Sequence, residues 1–227
     1  TNSVFSQQNL NSQFTVVVDA GHGGKDPGNT GNGYLEKKIA LSIALKLGKK
    51  LEENSVKVVY TRKSDVFVNL FERANIANRS NAQLFISIHC DSHTSQAYGA
   101  GTFVLGLHAN QRNFEVAKKE NSVIFFEEDY INKYEGFDPN NPESVIGLTL
   151  MQEEYLDQSI VAASYIQNSF VNRLKRRNRT VKQAGFIVLK YTYMPSVLVE
   201  TGFLTNNSEG AYLSLIHISE PTRPPEI

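Results

Sequence analysis

The chain alternates between short apolar runs and longer segments whose apolar residues recur at helical spacing. The first unit is a β-branched run at residues 14–18, a glycine-rich loop at 21–33 and a helical pattern at about 36–54. The remaining predicted strands are 56–61, 84–88, 101–107, 186–189 and 197–199, and the remaining predicted helices are 69–80, 158–177 and 207–213. Because strands and helices alternate, we expect an α/β fold with a mostly parallel, twisted sheet and helices on both faces.

The domain organisation follows from where this rhythm starts, breaks and stops. We expect one domain at 14–213, preceded by an Asn-, Gln- and Ser-rich tether at 1–13. Residues 110–150 interrupt the alternation with a charged helical stretch and a Gly/Pro/Asn loop, and we interpret them as a helical insertion that could act as a lid. Residues 214–227 change composition abruptly and look like translated sequencing-adapter DNA. We therefore interpret this tail, with His217, as non-native.

Composition narrows the range of partners. The chain has 23 basic and 23 acidic residues and a formal net charge of zero, so no global field favours nucleic acid, and we expect no nucleic-acid partner.

No apolar run approaches the roughly 18 residues of a membrane span. The start lacks the pattern of a signal peptide, so an exported protein would already have lost its leader. Cys90 is the one cysteine, which excludes an internal disulfide and a Cys-rich zinc site.

Four candidate site residues stand at the ends of predicted elements. His22, His89 and Glu200 each follow an apolar strand, and Glu36 opens the first long helix. Because parallel strands bring their carboxyl ends to one edge of a sheet, we expect these side chains to converge. Two His and one carboxylate with an open fourth position form a catalytic zinc arrangement. We predict that His22, Glu36 and His89 bind Zn²⁺ and that Glu200 transfers protons in a hydrolase.

Each of these residues also has an ordinary structural interpretation. A single His after a strand is usually a hydrogen-bonding residue, Glu36 would suit the first turn of any helix, and Glu200 could be a strand-end surface acid. Because all four residues stand at the ends of predicted elements, the metal-site interpretation is favoured over four separate structural roles. The loop at 21–28 also suggests phosphate binding, but it matches neither the dinucleotide nor the P-loop pattern.

Several other residues have less specific signals. Cys90 should point to the opposite face from His89 and be a small buried residue. Asp91 could orient a ligand His or the substrate, or could be a plain turn acid. We expect surface or structural roles for His93 and His108. A basic cluster is interpreted as a solvated helix end rather than a binding patch. Its members are Arg173, Lys175, Arg176, Arg177, Arg179 and Lys182.

Ordered motifs run through most of the chain. They are Asp-Ala-Gly-His-Gly-Gly at 19–24, Glu-Lys at 36–37, Thr-Arg at 61–62, Leu-Phe-Glu-Arg-Ala-Asn at 70–75, Ser-Ile-His at 87–89 and Val-Glu-Thr-Gly-Phe at 199–203 with Asn206. Taken together, residues 14–213 resemble the zinc-dependent N-acetylmuramoyl-L-alanine amidases of bacterial cell-wall remodelling, of the amidase-3 type.

The resemblance implies a reaction and a location. In such enzymes the positions of His22, Glu36 and His89 hold zinc and that of Glu200 is the catalytic carboxylate. The implied reaction cleaves peptidoglycan at the amide between the lactyl group of N-acetylmuramic acid and the L-alanine of the stem peptide. Since the wall lies outside the cytoplasmic membrane, the periplasm or cell surface is implied. The alternatives are a non-catalytic wall-binding or regulatory domain, and a zinc carboxypeptidase or deacetylase.

The resemblance also implies a form of regulation. Some members carry a helical insertion that covers the site, contributes a Glu to the zinc and is displaced by an activator protein. Residues 115–122 look like that element. We expect Glu120 to occupy the open zinc position in a resting enzyme, with Glu127 and Glu128 as rival candidates and an ordinary exposed helix Glu as the alternative.

Overall fold

A six-stranded mixed sheet forms the centre of the protein. The computed structural model describes residues 13–107, 110–145 and 153–215. Its strands are β1 Thr15–Ala20, β2 Thr30–Gly31, β3 Tyr34–Leu35, β4 Lys57–Tyr60, β5 Leu84–Asp91, β6 Ala100–Leu105, β7 Asn178–Ala184 and β8 Ser196–Phe203. The large sheet has the order β4-β1-β5-β8-β6-β7, while β2 and β3 form a separate antiparallel pair.

The strand directions place one edge of the sheet at the site. β1 pairs in parallel with β4 and β5, β5 with β8, and β6 with β7, whereas β6 runs antiparallel to β8. The carboxyl ends of β1, β5 and β8 therefore lie side by side. The mostly parallel α/β fold predicted from the sequence is confirmed.

Helices cover both faces of the sheet. They are α1 Glu36–Glu52, α2 Leu70–Arg79, α3 Gln111–Asn121, α4 Tyr130–Lys133, α5 Glu153–Asn172, α6 Ile187–Lys190 and α7 Asn207–Leu215. Since successive strand residues point to opposite faces, each strand supplies two cores. Val18 and Ile86 pack on the side of α1 and α5. Val17, Phe85 and Leu198 pack on the side of α2, α3 and α6.

The charged segment predicted as an insertion consists of short helices joined by turns where it is described. It contains α3, a 3-10 turn at Ser122–Phe126, α4 and a second 3-10 turn at Pro142–Val145. Asn110 caps α3, its side-chain oxygen accepting the N–H of Asn113 at 3.0 Å. Residues 146–150 of this segment lie outside the described residues, as do 1–12, 216–227 and His108.

One predicted strand is wrong. The apolar run at 186–189 begins a short helix, α6, and the strand lies earlier, at β7. A four-residue apolar run does not distinguish a buried helix from a strand. β7 is an edge strand with a mostly polar, partly exposed sequence, so no continuous apolar run marked it.

No helix among the described residues has the length and apolar character required to cross a membrane.

Candidate metal centre and active site

Four side chains meet at the carboxyl edge of the sheet. One potential ligand atom from each of His22, Glu36, His89 and Glu120 lies within 4.8 Å of the others, and all four residues are buried. Nε2 of His22 is 3.2 Å from Glu36 Oε2 and 3.0 Å from Glu120 Oε2. Nδ1 of His89 is 3.2 Å from Glu36 Oε1 and 2.9 Å from Glu120 Oε2. The structure thus brings the three sequence-predicted ligands together and adds Glu120 from α3.

The two rival lid residues lie elsewhere. Glu127 accepts hydrogen bonds from the Tyr134 hydroxyl at 2.7 Å and from Lys133 at 2.8 Å. Glu128 is exposed. Glu120 is therefore the acid of this segment that reaches the cluster.

Glu200 lies beside the cluster on the neighbouring strand. In the parallel register of β5 and β8 it stands opposite His89, and it is buried. Neither carboxylate oxygen has a hydrogen-bond partner among the described residues. Burial raises the pKa of Glu200 well above its ordinary value, and the negative charges of Asp91, Glu120 and Glu36 add to this effect. Such a carboxyl group can hold a proton that a surface glutamate would release.

Hydrogen bonds fix the orientation of the candidate ligands. Nδ1 of His22 lies 2.7 Å from Asp26 Oδ2, which leaves Nε2 facing the cluster. Glu36 accepts the backbone N–H of Asn29 at 2.7 Å and that of Cys90 at 2.8 Å. Asp26 was not predicted from the sequence. Its only signal was its place four residues after His22 in the same glycine-rich loop.

Asp91 is the carboxylate predicted to orient a ligand His or the substrate, and it makes no hydrogen bond to either histidine among the described residues. Its side chain accepts hydrogen bonds from the Ser92 N–H at 2.6 Å and from Arg112 of α3 at 2.7 Å.

Cys90 is buried on the other side of β5, next to Ile39 and Leu204, as the two-residue period predicted. His93 is structural: its ring nitrogen accepts the N–H of Ser95 at 2.9 Å.

Two buried arginines hold the loop that carries His22. Arg62 donates to the carbonyls of Ala20 at 2.9 Å and Gly21 at 2.7 Å. Arg73 donates to the carbonyls of Ala20 at 2.7 Å and His22 at 2.8 Å. Backbone oxygens that turn away from the sheet therefore keep their hydrogen bonds. These arginines belong to the motifs at 61–62 and 70–75, which sequence alone could not connect to the site.

The same loop has an unusual backbone. His22 has a φ of 60°, a left-handed conformation that is uncommon outside glycine. A Cβ at Gly21 would lie 2.4 Å from the His89 ring, so only glycine lets that ring approach. The strain and the close contact both serve to bring the two imidazoles together.

The donor set fits a divalent metal ion. His22 Nε2 and Glu120 Oε2 are buried and have no hydrogen-bond partner among the described residues, which is costly unless another group satisfies them. Imidazole nitrogen and carboxylate oxygen are ligands that zinc accepts.

The electrostatics of the cluster also favour a bound cation. Burial would lower the pKa of His22, but the charges of Glu36 and Glu120 outweigh it and raise this pKa well above normal. Burial likewise opposes protonation of His89, yet mainly Glu120 raises its pKa to about 9. A cation is therefore stabilised at this point, whether it is a proton or a metal.

An α/β domain with paired imidazoles and carboxylates at its carboxyl strand edge is an enzyme fold with a hydrolase-type site. A family model described as N-acetylmuramoyl-L-alanine amidase (Amidase_3) matches residues 16–218. The chain belongs to this family, and it is an amidase that hydrolyses peptidoglycan.

Individual relatives agree with the family match. The chain is similar to the N-acetylmuramoyl-L-alanine amidase AmiA of Escherichia coli, at 34% identity over 199 residues that cover 86% of this chain and 67% of that protein. It is also similar to LytC of Bacillus subtilis, at 33% identity over 88% of this chain and 31% of that protein.

A solved structure of an N-acetylmuramoyl-L-alanine amidase from Clostridium difficile 630 superposes with a TM-score of 0.66 at 27% identity. The match covers 89% of this chain and 86% of that one.

Proposed function

We propose that this amidase is zinc-dependent, with His22, Glu36 and His89 as zinc ligands and Glu200 as the general base and acid. The bond cleaved is the amide between the lactyl group of N-acetylmuramic acid and the L-alanine of the stem peptide. The observation that carries the proposal is the buried cluster of two imidazoles and a carboxylate with an unpaired Glu200 in register beside it.

The chain's own residues supply binding, orientation and proton transfer. A zinc ion, when bound, supplies a Lewis acid for the scissile carbonyl and lowers the pKa of water. Asp26 keeps the Nδ1 of His22 engaged, and two backbone N–H groups hold Glu36. Glu200 takes a proton from the attacking water and gives it to the departing nitrogen of L-alanine. Its raised pKa suits it to hold that proton between the two steps.

Replacing the proton-transfer group tests this mechanism. Glu200→Gln keeps the shape of the side chain but removes the base, so hydrolysis of purified sacculi should fall by about a hundredfold to ten-thousandfold. Zinc content, measured by elemental mass spectrometry, should stay near one per chain. The matched control is Glu52→Gln on the exposed end of α1, which should be fully active. If Glu200→Gln hydrolyses sacculi as fast as the parent chain, Glu200 is not the proton-transfer group.

The products identify the bond. Mass spectrometry of digested peptidoglycan should show stem peptides with a free N-terminal alanine. Loss of a C-terminal residue would indicate a carboxypeptidase, and loss of acetate a deacetylase. The non-catalytic alternative predicts no release at all.

We further propose that α3 holds the enzyme in an inhibited state. Glu120 Oε2 lies within 3.0 Å of a nitrogen on each histidine, which is where an open ligand position would otherwise face water or substrate. The cavity beside His22, His89 and Glu120 measures only about 10 Å³, too little for a substrate amide. In this arrangement the helix excludes both water and substrate.

The inhibition has a direct test. Glu120→Ala should raise the basal rate of sacculus hydrolysis, because it frees the ligand position without touching the three other ligands. Glu115→Ala alters an exposed residue on the same helix and should leave the basal rate unchanged. Equal basal rates for both variants and the parent chain would count against the lid.

Two consequences follow for the cell. Because the inner face of α3 is buried against the core, we propose that an activator protein displaces it. Because peptidoglycan lies outside the cytoplasmic membrane, we propose export to the periplasm or cell surface. Fractionation of the producing cells tests the second statement.

A further inference from the structure

A second cleft lies next to the candidate metal centre, between the start of α3 and the edge strand β7. Its volume is about 580 Å³. Four cationic side chains line it, and Asp91 is the one acidic residue among the described residues that do so. We call it the cationic cleft; its basic members are Arg112, Arg177, Arg179 and Lys182. Three of them belong to the basic cluster that the sequence analysis interpreted as a solvated helix end.

Lys182 is held by an aromatic ring rather than by an acidic side chain. It stands on β7 opposite Phe103 of β6, and its Nζ lies 4.9 Å from the centre of the Phe103 ring. Within the described part of the chain its ammonium makes no hydrogen bond and no ion pair. Burial lowers the pKa of Lys182, although the charges of Asp91 and Glu200 oppose this shift. A partly buried cation held this way is open to an anionic ligand.

Gly101 connects Lys182 with the catalytic carboxylate. In the β6–β8 register Gly101 stands opposite Glu200, and along β6 it lies on the same face as Phe103. A Cβ on Gly101 would lie 3.5 Å from Lys182 Nζ and 3.2 Å from Arg179 Cβ. The ammonium therefore extends over the space that Gly101 leaves free, toward the strand position of Glu200. The cleft therefore lies on the side of β6 that Gly101 shares with Glu200, although Glu200 is not one of its lining residues.

Stacking contacts hold the neighbouring guanidinium groups. Arg179 lies 5.1 Å from the centre of the Phe203 ring and donates its Nε–H to the carbonyl of Tyr98 at 2.8 Å. Arg177 lies 5.0 Å from the Tyr98 ring. Arg112 is neutralised by Asp91. Arg177, Arg179 and Lys182 make no ion pair among the described residues, and together they form a preorganised anion site.

The proposed proton transfer indicates which part of the substrate lies at the cationic cleft. If Glu200 protonates the nitrogen of L-alanine, the departing peptide lies on the Glu200 side of the scissile bond, which is also the side of the cleft. A peptide half carries free carboxylates, whereas the sugar ring of N-acetylmuramic acid is uncharged.

We propose that the cationic cleft binds a free carboxylate of the substrate's stem peptide through Lys182, assisted by Arg179, and so places the peptide beside Glu200. This inference rests on the proposed function. It adds a substrate-positioning residue and a selectivity for peptides whose carboxyl groups are not amidated.

The test compares two soluble substrates, an N-acetylmuramoyl pentapeptide with free carboxylates and the same compound with those groups amidated. Assays use the full chain carrying Glu120→Ala, so that resting inhibition does not limit the rate. Lys182→Met should raise KM for the free substrate at least tenfold with little change in kcat, and should leave the amidated substrate unaffected. Lys182→Arg should restore the preference. The control is Lys57→Met, the same change at an exposed position on the opposite edge strand β4.

Binding gives a readout independent of turnover. Calorimetry should show that the free stem peptide binds the unaltered chain and the Lys57→Met variant but not Lys182→Met. An equal loss of kcat on both substrates would mean that Lys182 acts through Glu200 and would overturn the proposal. So would equal preference for the two substrates in the parent chain. If the peptide binds as predicted but no variant hydrolyses either substrate, the proposed peptide binding by the cleft is supported and the proposed function is wrong.

Discussion

At the scale of single residues, Asp26 shows how the loop prepares His22. Its carboxylate is buried and lies 2.7 Å from Nδ1, so the other ring nitrogen is directed to the cluster. This arrangement fixes both the tautomer and the orientation of the ring, and it increases the basicity of Nε2, the candidate ligand nitrogen.

We therefore predict that Asp26→Asn weakens zinc binding by about 10- to 100-fold, the usual effect of losing such a carboxylate. Competition with a chromophoric chelator measures this directly. Asp157→Asn, an exposed change on α5, is the control and should bind zinc like the parent chain. Undiminished affinity of Asp26→Asn would show that the loop backbone alone orients His22.

The candidate ligands could be predicted from the sequence, but the residues that orient them could not. His22, His89 and Glu200 could be identified because each follows an apolar strand, and Glu36 because it opens a helix. Asp26 and Asn29 act through a turn whose geometry no periodicity describes. Arg62 and Arg73 act over 40 or more positions along the chain. Such contacts depend on tertiary packing, which a single sequence does not show.

At the scale of elements, α3 is attached to the core by one amide side chain in particular. Asn121, at the end of the helix, donates to the carbonyl of Gly185 at 2.7 Å and accepts the N–H of Ile187 at 2.9 Å. Gly185 lies just before α6 and Ile187 is its first residue, and Asn121 is buried. Since Glu120 is the preceding residue, the same contact positions the proposed inhibitory carboxylate.

We predict that Asn121→Ala loosens α3, because it leaves a buried carbonyl and N–H without partners at a cost of about 1–3 kcal/mol each. Hydrogen exchange in residues 111–126 should become faster, and the basal rate of sacculus hydrolysis should rise. Ser122→Ala is the control, since the Ser122 hydroxyl bonds within the helix to Lys119. An unchanged rate of hydrogen exchange in Asn121→Ala would mean that contacts other than those of Asn121 hold α3 on the core.

The elements also show where hydrophobic pattern stops being informative. Buried strands such as β1, β5 and β8 read as continuous apolar runs and were predicted. β7 was missed because it lies at the sheet edge and carries basic residues that line the cationic cleft. An element that combines an edge position with a binding surface has no apolar signature, so its strand character comes only from pairing with β6.

At the scale of the whole molecule, Asp19 is the polar centre that ties the sheet to the site loop. It is fully buried on β1 and bonds to Arg73 and Thr61, at 2.7 and 2.6 Å, and to Ser87 at 2.5 Å. Burial alone would raise the pKa of Asp19, but the charge of Arg73 and the hydrogen bonds outweigh it and lower this pKa. The ionised form is therefore more stable in the folded than in the unfolded chain.

This shift predicts an acid-sensitive fold. Asp19→Asn should lower the free energy of unfolding at neutral pH by about 3 kcal/mol or more, because it leaves the buried Arg73 without its counter-charge. The difference from the parent chain should stay constant down to about pH 4 and then shrink as pH falls through the lowered pKa. Urea unfolding at a series of pH values measures it. A difference that does not depend on pH would mean that the charge of Asp19 is not what stabilises the fold.

In the proposed active site, two histidines and the helix-opening Glu36 share one zinc ion beside Glu200. A crystal structure of the zinc-loaded protein, with anomalous scattering recorded on both sides of the zinc absorption edge, tests it most directly. We predict a single strong peak bonded to His22 Nε2, His89 Nδ1 and Glu36, with Glu120 as the fourth ligand in the resting enzyme. A peak at another place, or no zinc bound at these side chains, would contradict the account.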